Sequence, residues 1–150
     1  MQSTKYIAVA ILGVLAAGCT GYRLPAGYVK VEPPWDARFK AVSADGSALT
    51  YRTEENPKNG NLAFWEKAVT NRLVEVGGYQ RTDRQDIHNK NGLAGVQMTF
   101  SYAQVGVDYV YVLGLYVRGD RLHVLEAAGP KDKFAADLPE IHKAIIEWPL

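Results

Sequence analysis

Tyr111-Val-Leu-Gly-Leu-Tyr-Val-Arg-Gly-Asp-Arg-Leu-His-Val-Leu-Glu-Ala-Ala128 is the stretch that decides the fold. Its first part, from Asp108 to Arg118, is apolar on both faces: Tyr109, Tyr111, Leu113, Leu115 and Val117 alternate with Val110, Val112 and Tyr116. A strand of that kind is covered on both sides, which places it inside a sheet with layers above and below. Gly119-Asp120 then turns the chain into a second run, Arg121–Ala127. A two-residue glycine-containing turn joins strands side by side and antiparallel. Upstream, Val96, Met98, Phe100 and Tyr102 alternate with Gln97, Thr99 and Ser101, a half-buried strand that extends the hairpin to three strands.

Working outward, Arg38–Ala44 and Ala48–Thr53 flank Asp45-Gly46 and predict another hairpin. Between the hairpins the period changes. Trp65, Val69, Leu73 and Val76 recur at spacings of three and four, so Leu62–Val76 is a helix with Asn61 as its cap and Gly77-Gly78 as its stop. Thr82–Gly92 is polar and predicts a loop ending in a turn. Gly129-Pro130 predicts the end of the sheet. Phe134, Leu138, Ile141, Ile145 and Trp148 then run at helical spacing, with Pro139 in the first turn. The expected class is α+β, an antiparallel sheet packed between helices, in a single domain over residues 35–150.

The N-terminus carries an address. Lys5 precedes the run Tyr6-Ile-Ala-Val-Ala-Ile-Leu-Gly-Val-Leu-Ala-Ala17, which is too short to span a bilayer core of about 30 Å and reads as a signal peptide over residues 1–18. Leu15-Ala-Ala-Gly-Cys19 resembles the lipobox of bacterial lipoproteins, which implies cleavage before Cys19 and its acylation with palmitate-type chains. Ala16 stands where that motif usually has a bulky apolar residue. Thr20, and not Asp, follows the cysteine, which under lipoprotein sorting implies the outer membrane, facing the periplasm of a Gram-negative cell. Residues 19–34, with prolines at 25, 33 and 34, read as a lipidated tether.

Ala63-Phe-Trp-Glu-Lys-Ala68, Gly77-Gly-Tyr79, Gly92–Phe100 and Tyr111–Pro130 together resemble the PsbP-like group. That group includes the photosystem protein PsbP, a Ran-binding import factor and the bacterial lipoprotein DcrB. The resemblance implies an α/β/α sandwich whose members bind partners or assist assembly and are generally not enzymes. It carries over no functional residue.

Chemistry-bearing motifs are few. With 17 Lys plus Arg against 16 Asp plus Glu, the net charge of +1 gives no electrostatic pull toward nucleic acid. One cysteine excludes an intrachain disulfide and any multi-cysteine metal site. Ser43, Ser47 and Ser101 stand outside any nucleophile motif, Asp83–His88 lacks metal-ligand spacing, and Gly92-Leu-Ala-Gly95 is too sparse for a phosphate loop. No catalytic residue, metal or cofactor is expected. Glu126, in an otherwise apolar strand, predicts a buried acid or one paired with an arginine. The aromatic surplus, Tyr102, Tyr109, Tyr111, Tyr116 and Trp35, supplies the candidate ligand-binding residues, since rings offer flat faces and hydroxyls. The expected function is a membrane-anchored, non-catalytic binding or assembly factor for a protein partner in the envelope. A small-ligand or glycan binder with an aromatic pocket is the alternative.

Overall fold

A computed structural model describes residues 21–150; the expected signal peptide over residues 1–18 and the expected lipidation site Cys19 lie outside the described residues. Seven strands form one sheet: β1 (Tyr28–Val31), β2 (Phe39–Ser43), β3 (Ala48–Glu55), β4 (Gln80–His88), β5 (Ala94–Gln104), β6 (Val107–Arg118) and β7 (Arg121–Pro130). They lie in the order β1-β2-β3-β7-β6-β5-β4, and every neighbouring pair is antiparallel. Helix α1 (Leu62–Asn71) continues into a π-helical turn, Arg72–Val76, and covers one face. Helices α2 (Lys131–Phe134) and α3 (Leu138–Ile146) cover the other. The α+β sandwich expected from the sequence is the one observed.

The two-sided strand explains the two layers. On β6, Leu113 and Leu115 join Val96, Met98, Phe100, Leu122 and Val124 beneath α1. Val112 and Tyr116 point the other way, into a second core with Leu49, Leu125, Ile141, Ile145 and Trp148. Alternation along one strand thus feeds both cores, and a slip of one residue would exchange them. Its hairpin partner begins after Gly119, whose φ of +59° the tight turn requires. The Asn61 cap forms as its position suggests: its Oδ1 accepts the Phe64 amide at 2.9 Å.

Three expectations are corrected. The segment Thr82–Gly92 is not a loop through its length, because β4 occupies Gln80–His88. It is an edge strand exposed on nearly every residue, and only Ile87 is buried. Its charges leave no apolar alternation to read, and they also guard an open edge against further pairing. Gly129-Pro130 does not end the sheet, since β7 runs through Pro130 and pairs with Tyr109 of β6. Gly129 is there for space: a Cβ would sit 2.1 Å from Ser47 Oγ.

The third correction concerns the tether over residues 19–34. Tyr28–Val31 is strand β1, paired with β2, and the residues before it are docked. The Tyr22 ring lies 5.1 Å from Phe39 and 4.8 Å from Trp148. Arg23 reaches Glu140 and Glu147 at 3.4 Å each, Leu24 packs against the core and Pro25 is buried. Proline and glycine made this segment look like a linker, but extended backbone beside an open sheet edge suits them equally. Among the described residues the folded unit therefore reaches back at least to Tyr22, ahead of Trp35.

Candidate binding site beneath the first helix

Helix α1 presents Trp65, Val69 and Leu73 to the sheet, as its periodicity requires, yet no residue of it is fully buried. Trp65 is half-buried, and its indole N–H donates to Asn56 Oδ1 at 3.1 Å. Strands β3 and β7 bring the polar side chains Arg52, Glu54 and Glu126 to this face. Between helix and sheet lies a cavity of about 340 Å³, in the size range of small-ligand sites. Trp65, Ala68, Val69 and Leu73 form one wall; Leu113, Leu122 and Val124 form the floor. Arg52, Glu54, Glu126 and Tyr111 make a polar corner, and Arg72 completes the lining from the π-helical turn. Such turns within helices are frequent at functional sites.

The polar corner is internally satisfied. Glu126 accepts Arg52 Nε at 3.0 Å and the Tyr111 hydroxyl at 2.5 Å. Arg52 also pairs with Glu54. The register sets this up, because Thr50 faces Glu126 across β3 and β7 while Leu113 faces it across β6. Arg52 and Tyr111 then flank the carboxylate diagonally on the same face. Burial first, and the Glu126 carboxylate second, hold the Tyr111 phenol protonated far above its ordinary range. Chemically the corner is a carboxylate already holding its two donors, next to an apolar recess.

The candidate tyrosines separate into two groups. Tyr102 and Tyr109 face each other across β5 and β6 and stack at 5.0 Å. Tyr79, which the sequence reading passed over, lies 4.5 Å from Tyr102 and 5.6 Å from Tyr111. These rings form one row on the α1 face, and Tyr111 at its end enters the cavity lining. Tyr116 stands apart: it is fully buried in the opposite core, with its hydroxyl donating to the Ile145 carbonyl at 3.2 Å. Trp35 is 98% exposed in the loop between β1 and β2 and lines none of this cavity. Arg52 was also passed over, although the alternation Thr50, Arg52, Glu54 marks a polar face on a strand whose other face is core.

Away from the cavity, His123 Nδ1 meets the Tyr51 hydroxyl at 2.8 Å and His142 meets Gln97 at 3.0 Å. Along β4, Asp83 accepts from Gln85, and Asp86 pairs with Arg84. Arg84 also forks onto Glu66 of α1 at 3.0 and 2.9 Å, tying the helix to the edge strand.

The buried phenols give a first prediction. Burial pushes Tyr28 up to about 12, helped by Asp137, and burial likewise raises Tyr116. A phenol in the unfolded chain titrates near 10, so above that pH the unfolded state loses protons that the folded state keeps. Stability should therefore be level through neutral pH and fall as pH rises past about 10. Urea midpoints measured from pH 8 to 11.5 would show this, and a flat midpoint would contradict it.

No protein-family model matches the chain, and no curated protein matches it by sequence. Its structure is similar to that of LpqN, involved in cell envelope biogenesis of Mycobacterium tuberculosis. That match has a TM-score of 0.65 at 16% identity and covers 84% of this chain and 79% of that one. It is also similar to the Ran-binding protein Mog1p of Saccharomyces cerevisiae (TM-score 0.60, 11% identity, 82% and 85% covered). Cyanobacterial PsbP from Synechocystis gives a TM-score of 0.57 at 9% identity, with 82% and 81% covered. At such identities the likeness concerns the fold. The chain has the PsbP-like α+β fold.

Proposed function

We propose that this protein is a lipoprotein of the cell envelope, anchored through Cys19 at the outer membrane, that works without catalysis as a binding or assembly factor for a protein partner. The observation that carries the reading is the cavity beneath α1, which combines an apolar recess with a polar corner whose groups are committed to one another. Such a site can receive an apolar side chain while offering no base or nucleophile free to react. A half-exposed helix over the recess can adjust to what enters. The similarity to an envelope-biogenesis protein and to a Ran-binding protein supports the choice of a protein as occupant. The second reading, a small amphipathic ligand or glycan, is favoured by the cavity's size and by the tyrosine row that ends in it.

The test places a photo-crosslinking residue at Arg72, on the cavity lining, and a control at exposed Lys133 on α2, in cells keeping the native envelope. A partner adduct should form from Arg72 and not from Lys133. Ala68→Phe should abolish it, because the added ring fills the recess, at a stability change of no more than about 1 kcal/mol. An adduct that survives Ala68→Phe would overturn the site. A small molecule released from the purified protein, and absent from the Phe variant, would favour the second reading.

A further inference from the structure

We infer that the end of the sheet carrying Tyr22 and Trp35 is a membrane-contact surface that rests on the phospholipid bilayer; this depends on the anchoring of Cys19 proposed above. Only Thr20 and Gly21 separate Cys19 from Tyr22. At about 3.5 Å per residue, three steps reach roughly 10 Å at most. The far end of that span is fixed, since Tyr22 is packed between Phe39 and Trp148 and Arg23 is held along α3. A lipid on Cys19 therefore has no slack. It brings to the bilayer whichever part of the fold surrounds Tyr22.

That part is where β2 begins, at Phe39, and the β1–β2 loop lies immediately before it. Trp35 sits in this loop, four residues before Phe39, in a turn closed by the Ala37 amide on the Pro34 carbonyl at 3.0 Å. Pro33 and Pro34 stiffen the approach to it. Trp35 is 98% exposed and Tyr22 is 41% exposed, although the same end buries Trp148 completely. Indole and phenol rings partition to the headgroup boundary, where an apolar body and a polar tip are both satisfied. An exposed apolar residue alone would mean little. Two aromatic rings at the end of the fold from which a short anchor emerges give the exposure a specific occupant.

The protein is purified from membranes in detergent, its acyl mass is read by mass spectrometry, and it is reconstituted into phosphatidylethanolamine–phosphatidylglycerol vesicles with brominated acyl chains. The Trp35 emission, obtained by subtracting that of Trp35→Phe, should be quenched about twofold or more relative to unbrominated vesicles, as for a ring at the interface. The Trp35→Phe protein, whose emission comes from half-buried Trp65 and fully buried Trp148, is the control and should change little. Equal Trp35 emission in both vesicles would overturn the membrane-contact surface. A protein without acyl mass would sink the anchoring reading alone. The same quenching measured on chains coupled through Cys19 to a maleimide lipid would then still decide whether this end of the sheet enters the interface.

Discussion

Replacing Trp148 by Ala is expected to lower the unfolding free energy by about 3–5 kcal/mol, the range for removing a large buried aromatic. Trp148 is the largest fully buried side chain and lies beyond the end of α3, where nothing in its own helix would hold it. Its ring sits 5.0 Å from Phe39, edge to face, 5.3 Å from Tyr51 and 4.8 Å from Tyr22. It thus joins the C-terminal helix, the β2–β3 hairpin and the incoming N-terminal segment. Three parts of the chain would lose a shared contact, and collapse around the gap would have to move all three. The indole N–H has no hydrogen-bond partner among the described residues. Trp148→Phe should therefore cost only about 1 kcal/mol, because it keeps most of the ring and relieves an unpaired buried donor. Urea titrations with an unchanged slope would measure both. A loss below about 1 kcal/mol for the Ala variant would mean that the C-terminal segment can leave without disturbing the core.

Trp148 also shows what was legible in the sequence. Its helical spacing from Phe134, Leu138, Ile141 and Ile145 announced a buried face, and the two-sided pattern of β6 announced layers above and below. Strand β4 could not be read in this way. A strand at an edge has one covered neighbour, and its identity comes from pairing with β5, which lies six to twenty-one residues away in register and leaves no local mark. The same holds for β1, four residues set among prolines, which is a strand because β2 is beside it. Tyr116 and Tyr111 look alike in sequence, five positions apart, and that odd spacing on a strand sends them to opposite faces. One is core and the other lines a cavity. Glu126 was marked by its apolar surroundings and does pair with an arginine, but the partner, Arg52, is 74 residues away. The cavity itself is lined by α1 together with side chains of β3, β6 and β7, which are remote from it in the chain.

That corner bears the second large effect. Glu126→Ala should destabilise by about 2–3 kcal/mol, below the full range for breaking a buried pair because Arg52 and Glu126 remain 30% and 21% exposed. The loss has two sources: the Arg52 guanidinium keeps only Glu54, and the Tyr111 hydroxyl loses its acceptor. If the network served stability alone, an apolar replacement of matched volume would be worse than the original. Physical chemistry points the other way, since a desolvated pair commonly returns little more than its desolvation costs. The variant carrying Arg52→Met, Tyr111→Phe and Glu126→Leu together should accordingly regain stability to within about 1 kcal/mol of the parent. It should nevertheless lose the Arg72 photo-adduct, because the recess keeps its size but no longer presents a carboxylate, a phenol and a guanidinium at fixed positions to orient what enters. Denaturant titration reads the first half and crosslinking in the native envelope the second. A triple variant that is stable and still captures the partner would show that the recess alone makes the contact. One that remains as unstable as Glu126→Ala would show that the network is needed to keep α1 on the sheet, and the polar corner would then be structure before it is recognition.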